Sequence, residues 1–186
     1  MKRRIIVVTI VLAGAAGAVS GQGVRNWGAS LRGFDETPAV STVARGSFEA
    51  QISTDQSRVT WRLRYQDLEG DVTQAHIHFG DVDTSGGISV FLCTNLGNGP
   101  AGTQGCPTMM PATVTGTFMA ADVVGNASAQ GIAAGGLTEL LRALRARLTY
   151  ANVHSTKFGS GEVRGQIFPL LRGNRDDDRG DDHHRH

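Results

Sequence analysis

Between residues 58 and 65 the chain reads Arg58-Val59-Thr60-Trp61-Arg62-Leu63-Arg64-Tyr65, with a large apolar side chain at every second position. A period of two fits an extended strand with one face in a core and the other in water; a helix would scatter these residues around its axis. The preceding segment, Arg45 to Ser53, repeats the pattern, setting Phe48, Ala50 and Ile52 against Glu49, Gln51 and Ser53. Thr54-Asp55-Gln56-Ser57 between them has turn composition, so the two runs predict a β-hairpin.

Similar segments follow. Val72 to Phe79 predicts a strand with Thr73, Ala75, Ile77 and Phe79 on one face and Val72, Gln74, His76 and His78 on the other. Gly80 to Gly87 reads as a polar turn, Ile88 to Cys93 as a short apolar strand, and Thr94 to Pro111 as a long Gly/Pro/Thr loop. Val114 to Val124, Thr149 to His154 and Glu162 to Phe168 complete the strand-like runs. One stretch departs from the period: Leu137, Leu140, Leu141, Leu144 and Leu148 recur at helical spacing, with Thr138 as cap and Glu139 in the first turn. Seven or eight short strands with one short helix predict an all-β fold, an antiparallel immunoglobulin-like β-sandwich.

A chain of 186 residues, 40% hydrophobic, suffices for one domain with a real core. With 18 Lys and Arg against 17 Asp and Glu, no overall field selects a nucleic acid or an anionic membrane as partner. Lys2, Arg3 and Arg4, the apolar run Ile5 to Leu12 and the small residues through Ala18-Val19-Ser20 predict a signal peptide over residues 1–20. Its removal takes away three positive charges and turns the net +1 into −2. No membrane association is expected after cleavage, and the mature protein is expected to be secreted, periplasmic or in the cell envelope. Residues 21–30 are expected to be a linker, 31–171 the folded domain, and 172–186 a disordered tail without apolar residues. That tail holds Arg179-Gly180-Asp181 and the histidines His183, His184 and His186, which could bind metal weakly. In an oxidising compartment the two cysteines, Cys93 and Cys106, are expected to form a disulfide that staples the long loop.

Three clusters could carry chemistry. His76 and His78, two apart on one strand, point the same way about 7 Å apart, so their imidazoles can converge on one ion. His154, in Tyr150-Ala151-Asn152-Val153-His154, could supply a third nitrogen. Glu162, Arg164 and Gln166 share one polar face of the last strand and could orient imidazole N–H groups.

At these residues the chain resembles a known family. Leu31-x-Gly33-x-x-Glu36-x-Pro38, Ala75-His76-Ile77-His78, Tyr150-Ala151-Asn152-Val153-His154-Ser155 and Gly161-Glu162-Val163-Arg164-Gly165-Gln166-Ile167 together look like the CHRD (chordin-type) domain, over roughly residues 31–169. That family occurs in chordin, an extracellular growth-factor antagonist, and in many exported bacterial proteins, so the resemblance implies an extracellular β-sandwich and no particular reaction. A weaker resemblance links His76-Ile77-His78-Phe79-Gly80-Asp81 and Val153-His154 to the copper-binding strands of copper–zinc superoxide dismutases. It implies a superoxide-dismutase-like sandwich and copper at His76, His78 and His154. No histidine lies between Gly80 and Thr149, however, so the metal-bridging and zinc-site histidines have no counterparts.

Two functions are therefore expected side by side. In the first, the chain is a non-enzymatic exported module that binds an extracellular protein or envelope component, and its histidines hydrogen-bond to Glu162, Gln166 or backbone and hold strands in register. In the second, it is a copper-binding redox protein, with zinc also suited to the imidazoles. No P-loop, GxGxxG, Ser-His-Asp or paired-carboxylate pattern points to another enzyme class.

Overall fold

The computed structural model describes residues 25–170; the expected signal peptide and tail lie outside them. Nine strands run in the order β1 Asn26–Arg32, β2 Arg45–Ile52, β3 Arg58–Gln66, β4 Val72–Phe79, β5 Gly87–Thr94, β6 Ala112–Met119, β7 Thr149–Ser155, β8 Val163–Gln166 and β9 Phe168–Pro169. The one α-helix among the described residues, α1, spans Leu137–Arg145. The fold is thus mostly antiparallel β with one short helix. Among the described residues no helix is long and apolar enough to cross a membrane.

The expected hairpin is present as the β2–β3 pair, with Phe48 opposite Leu63 and Ala50 opposite Trp61. Trp61, Leu63 and Tyr65 are buried, as their alternation requires. The Trp61 ring lies across Gly116 on β6, where a Cβ would come within 2.6 Å of it. Helix α1 buries Leu137, Leu140, Leu141 and Leu144 and exposes Arg142 and Arg145. The strand expected from Val114 to Val124 ends at Met119, where the chain enters a 3-10 turn at Ala120–Asp122. Two details of the helix also depart from the sequence reading. The helix N-cap is Gly136 without a side-chain cap, so Thr138 sits inside the first turn. Leu148 lies beyond the helix, after the left-handed turn at Arg147.

The expected linker also needs correction, since Asn26–Ser30 belongs to β1. This strand pairs along its whole length with β2 and touches β8 and β9 on its other side. Its Asn, Gly and Ser residues carry little strand propensity; pairing on both sides and burial of Trp27 and Leu31 decide its conformation.

All strands join one sheet in the order β5-β4-β7-β8-β1-β2-β3-β6, with β9 beside β1, and the sheet is nearly closed. The long loop after β5 bridges its two ends. Gln104 donates its side-chain amide to Leu92 O on β5 at 3.2 Å and to Thr115 O on β6 at 3.1 Å. The expected disulfide joins Cys93 to Cys106, and Asn95 bonds the backbone of Cys106 and Val72. Covering both ends in this way leaves less open strand edge for another chain to pair with.

Candidate metal centre

The two faces of the β4–β7–β8 region differ in kind. Ala75, Ile77, Ala151, Val153 and Val163 enter the apolar core. The opposite face carries His76 and His78 from β4, Tyr150, Asn152 and His154 from β7, and Arg164 and Gln166 from β8. Registers set His76 opposite Asn152, His78 opposite Tyr150, and Asn152 opposite Arg164. These residues are on the outer face, yet all are buried. The loops at 33–44, 80–87 and 156–161 supply the partners that cover them.

Three imidazoles meet there. His76, His78 and His154 each offer a nitrogen within 4.8 Å of the others. His76 Nδ1 lies 3.2 Å from His154 Nε2. Two nitrogens sharing a tetrahedral ion at 2.0–2.1 Å would be about 3.3 Å apart, so this pair already has the required spacing. The wider separations in the trio would have to contract on binding.

The hydrogen bonds fix which nitrogens are free. His78 Nδ1 faces Gly86 O at 2.9 Å, and His154 Nδ1 faces Gly159 O at 3.0 Å. A carbonyl only accepts, so in each neutral ring Nδ1 carries the proton and Nε2 presents a lone pair. The Nε2 atoms of His76 and His78 are buried with no partner in the structure. Burial, reinforced by the neighbouring His154 and His78, pushes His76 down to about 2; burial pushes His78 down to about 4 and also lowers His154. All three are therefore neutral at pH 7, the form that ligates metal.

Around the trio the structure replaces part of the expected support. Glu162 turns away: its Oε1 accepts from Thr42 Oγ1 at 2.9 Å and from the Glu69 backbone at 2.8 Å, tying down two loops. Gln166 donates to Gly80 O and Arg147 O. Neither orients an imidazole; backbone carbonyls of Gly86 and Gly159 do so instead.

Arg164 acts one layer out. It is 2% exposed, lies 3.4 Å over the Tyr150 ring, and Tyr150 stacks on His78 with ring centroids 4.8 Å apart. Its guanidinium donates to Asp81 O at 2.6 Å, Thr84 O at 3.1 Å and Thr37 Oγ1 at 3.3 Å. It thereby holds the loop whose Gly86 carbonyl orients His78. The carboxylate beside Arg164 is Glu36, not Glu162. Burial raises Glu36 to about 7 against the pull of Arg164.

Asn152 and Glu36 are the residues that reading for ligands passed over. Asn152 Oδ1 is 3.1 Å from His154 Nε2. The signal was present, since Tyr150, Asn152 and His154 alternate onto one face. Gly161, at φ 133°, makes room for Glu36: a Cβ there would lie 2.3 Å from Glu36 Oε1.

No curated protein matches this chain, and no solved structure does. The family model described as the CHRD domain matches residues 27–167, a span that takes in β1 from Trp27 onward, all three histidines of the trio and the Gly161 to Ile167 segment. With that match covering most of its length, the chain belongs to the CHRD domain family.

Proposed function

We propose that this protein is an exported, non-enzymatic binding module that holds a copper or zinc ion between His76, His78 and His154. The observation that carries the reading is the convergence of three buried, neutral imidazoles within 4.8 Å of one another. Two of them have Nδ1 committed to backbone carbonyls and a lone pair on Nε2. A buried pocket of preset tautomers suits ions that favour imidazole, copper foremost and zinc next. The Arg164 charge, a source of repulsion for a cation, is set behind the Tyr150 ring and faced by Glu36.

Export is supported by the N-terminal basic, apolar and small-residue pattern and by the disulfide. An extracellular or envelope protein is the partner this location offers. The finer reading of the fold as an immunoglobulin-like or superoxide-dismutase-like sandwich is supported by the way the two halves of the single, nearly closed sheet enclose one apolar core, as a flattened pair of faces would.

A second reading has its own support. The bonds from His78 to Gly86 and from His154 to Gly159 also pin the loops that cover this face. On that reading the histidines are structural and the bound partner is a protein.

Copper titration of the full chain with His183, His184 and His186 replaced by Ala separates the two. Metal binding predicts a single site lost in His76→Ala and His154→Ala. Unchanged affinity in those variants, with lowered stability, refutes the metal site and leaves the structural reading.

A further inference from the structure

Asn152 lies at the middle of the site, 2% exposed, opposite His76 on one side and Arg164 on the other. Its amide oxygen is 3.1 Å from His154 Nε2. Because His154 Nδ1 spends its proton on Gly159 O, Nε2 and the amide oxygen face each other as two acceptors. The donor in reach of Nε2 is His76 Nδ1–H, and a cation taking the place of that proton would draw on both lone pairs at once. The same Nε2 lies 3.2 Å from His76 Nδ1. Both separations are close to the edge of about 3.3 Å in a tetrahedron with metal–ligand distances near 2.0–2.1 Å.

Building on the metal reading above, we infer that Asn152 is the fourth ligand of the ion, its side-chain oxygen completing a set of three imidazole nitrogens and one oxygen. An amide oxygen is a weak, neutral donor of the kind found at the long axial position of some copper sites. Four protein ligands close the coordination sphere. Closed sites hold an ion, whereas catalytic ones keep a position for water or substrate, so this set fits a binding module.

Glu36 is the positioning residue for this ligand. Its buried carboxyl lies beside the Asn152 amide, and its Oε1 has no partner in the structure. Accepting a hydrogen bond from Asn152 Nδ2 would turn the amide oxygen towards the histidines. Gly161 leaves the space in which that carboxyl rests.

The test uses the full chain with the three tail histidines replaced by Ala, titrated with Co(II) and followed by affinity and by the visible ligand-field bands. Asn152→Ala is expected to weaken binding by about 10- to 100-fold and to change the bands. Asn152→Asp, of nearly the same shape, is expected to bind more tightly than wild type. Glu36→Gln is expected to alter the spectrum when Asn152 is present and to leave it unaltered in the Asn152→Ala background. If His76→Ala abolishes binding while both Asn152 variants keep wild-type affinity and bands, the trio holds the ion alone and the fourth-ligand inference is overturned. If His76→Ala binds like wild type, the metal reading itself is overturned and this inference with it. Should Asn152→Ala fail to fold by circular dichroism, the aspartate variant decides.

Discussion

Acid should unfold the metal-free protein at an unusually mild pH, and the slope can be worked out from the site. His76, His78 and His154 all have folded pKa values depressed from 6.5. The unfolded chain therefore binds protons below pH 6.5 that the folded chain refuses. Their contribution is fully present above that pH and is lost as pH falls, down to about 4 for His78. Glu36 works the other way. Raised from 4.5 to about 7, it keeps a proton in the folded state that the unfolded chain releases above 4.5. Between pH 5 and 6, about two protons gained on unfolding at His76 and His78 are offset by about one lost at Glu36, and His154 adds uptake in the same direction. The net uptake, about one proton before His154 is counted, gives a slope of roughly 1.4 kcal/mol per pH unit or more. Urea unfolding after chelation at pH 5.0, 5.5, 6.0 and 6.5 measures this. His78→Gln should reduce the slope by about one proton, roughly 1.4 kcal/mol per unit. A wild-type slope near zero over that range would mean the imidazoles are hydrated or already charged, and the buried neutral trio would be refuted.

The remaining expectations concern packing and closure. Trp61→Ala should destabilise by roughly 3–5 kcal/mol, read as a urea midpoint shift, since the ring fills the space over Gly116; a change below about 1 kcal/mol would contradict its core role. Unreduced, denatured protein should titrate no free thiol, and a Cys93→Ala/Cys106→Ala variant should lose roughly 3 kcal/mol with the strap between β5 and β6. Gly161→Ala, which forces a Cβ against Glu36 at a positive φ, should cost roughly 1–3 kcal/mol in the same assay; wild-type stability would show that Glu36 rests elsewhere.

Support from β8 had to be reassigned for a physical reason. Alternation correctly places Glu162, Arg164 and Gln166 towards the outer face, and all three are buried. What each one meets depends on the loop above it. Glu162 lies under the loops carrying Thr42 and Glu69, Arg164 under the loop Asp81 to Thr84, and Gln166 near Gly80 and Arg147. Only Arg164 thus stays coupled to the histidines, through the Tyr150 ring. Buried charge without a carboxylate salt bridge is costly, and the guanidinium offsets that cost with three hydrogen bonds and an aromatic face.

By itself the sequence determined the local directions of the chain. Period-two runs fix β2, β3 and the Gln74 to Phe79 part of β4 because side-chain alternation follows from the backbone of each strand alone, and the leucine spacing fixes α1 in the same way; Val72, expected on the histidine face, instead enters the core, because a register shift between Val72 and Gln74 breaks the period. It also placed His76 and His78 on one face and, with only two cysteines present, left one intramolecular pairing for Cys93 and Cys106. Tertiary structure decided the rest. Asn26–Arg32 became a strand only because β2, β8 and β9 flank it. An outer face that alternation alone assigns to solvent became the site because loops from 33–44, 80–87 and 156–161 close over it. The choice of Asn152, Glu36 and two backbone carbonyls as the histidines' neighbours arises where segments up to more than a hundred residues apart are brought within hydrogen-bond reach, and no local period records such a meeting.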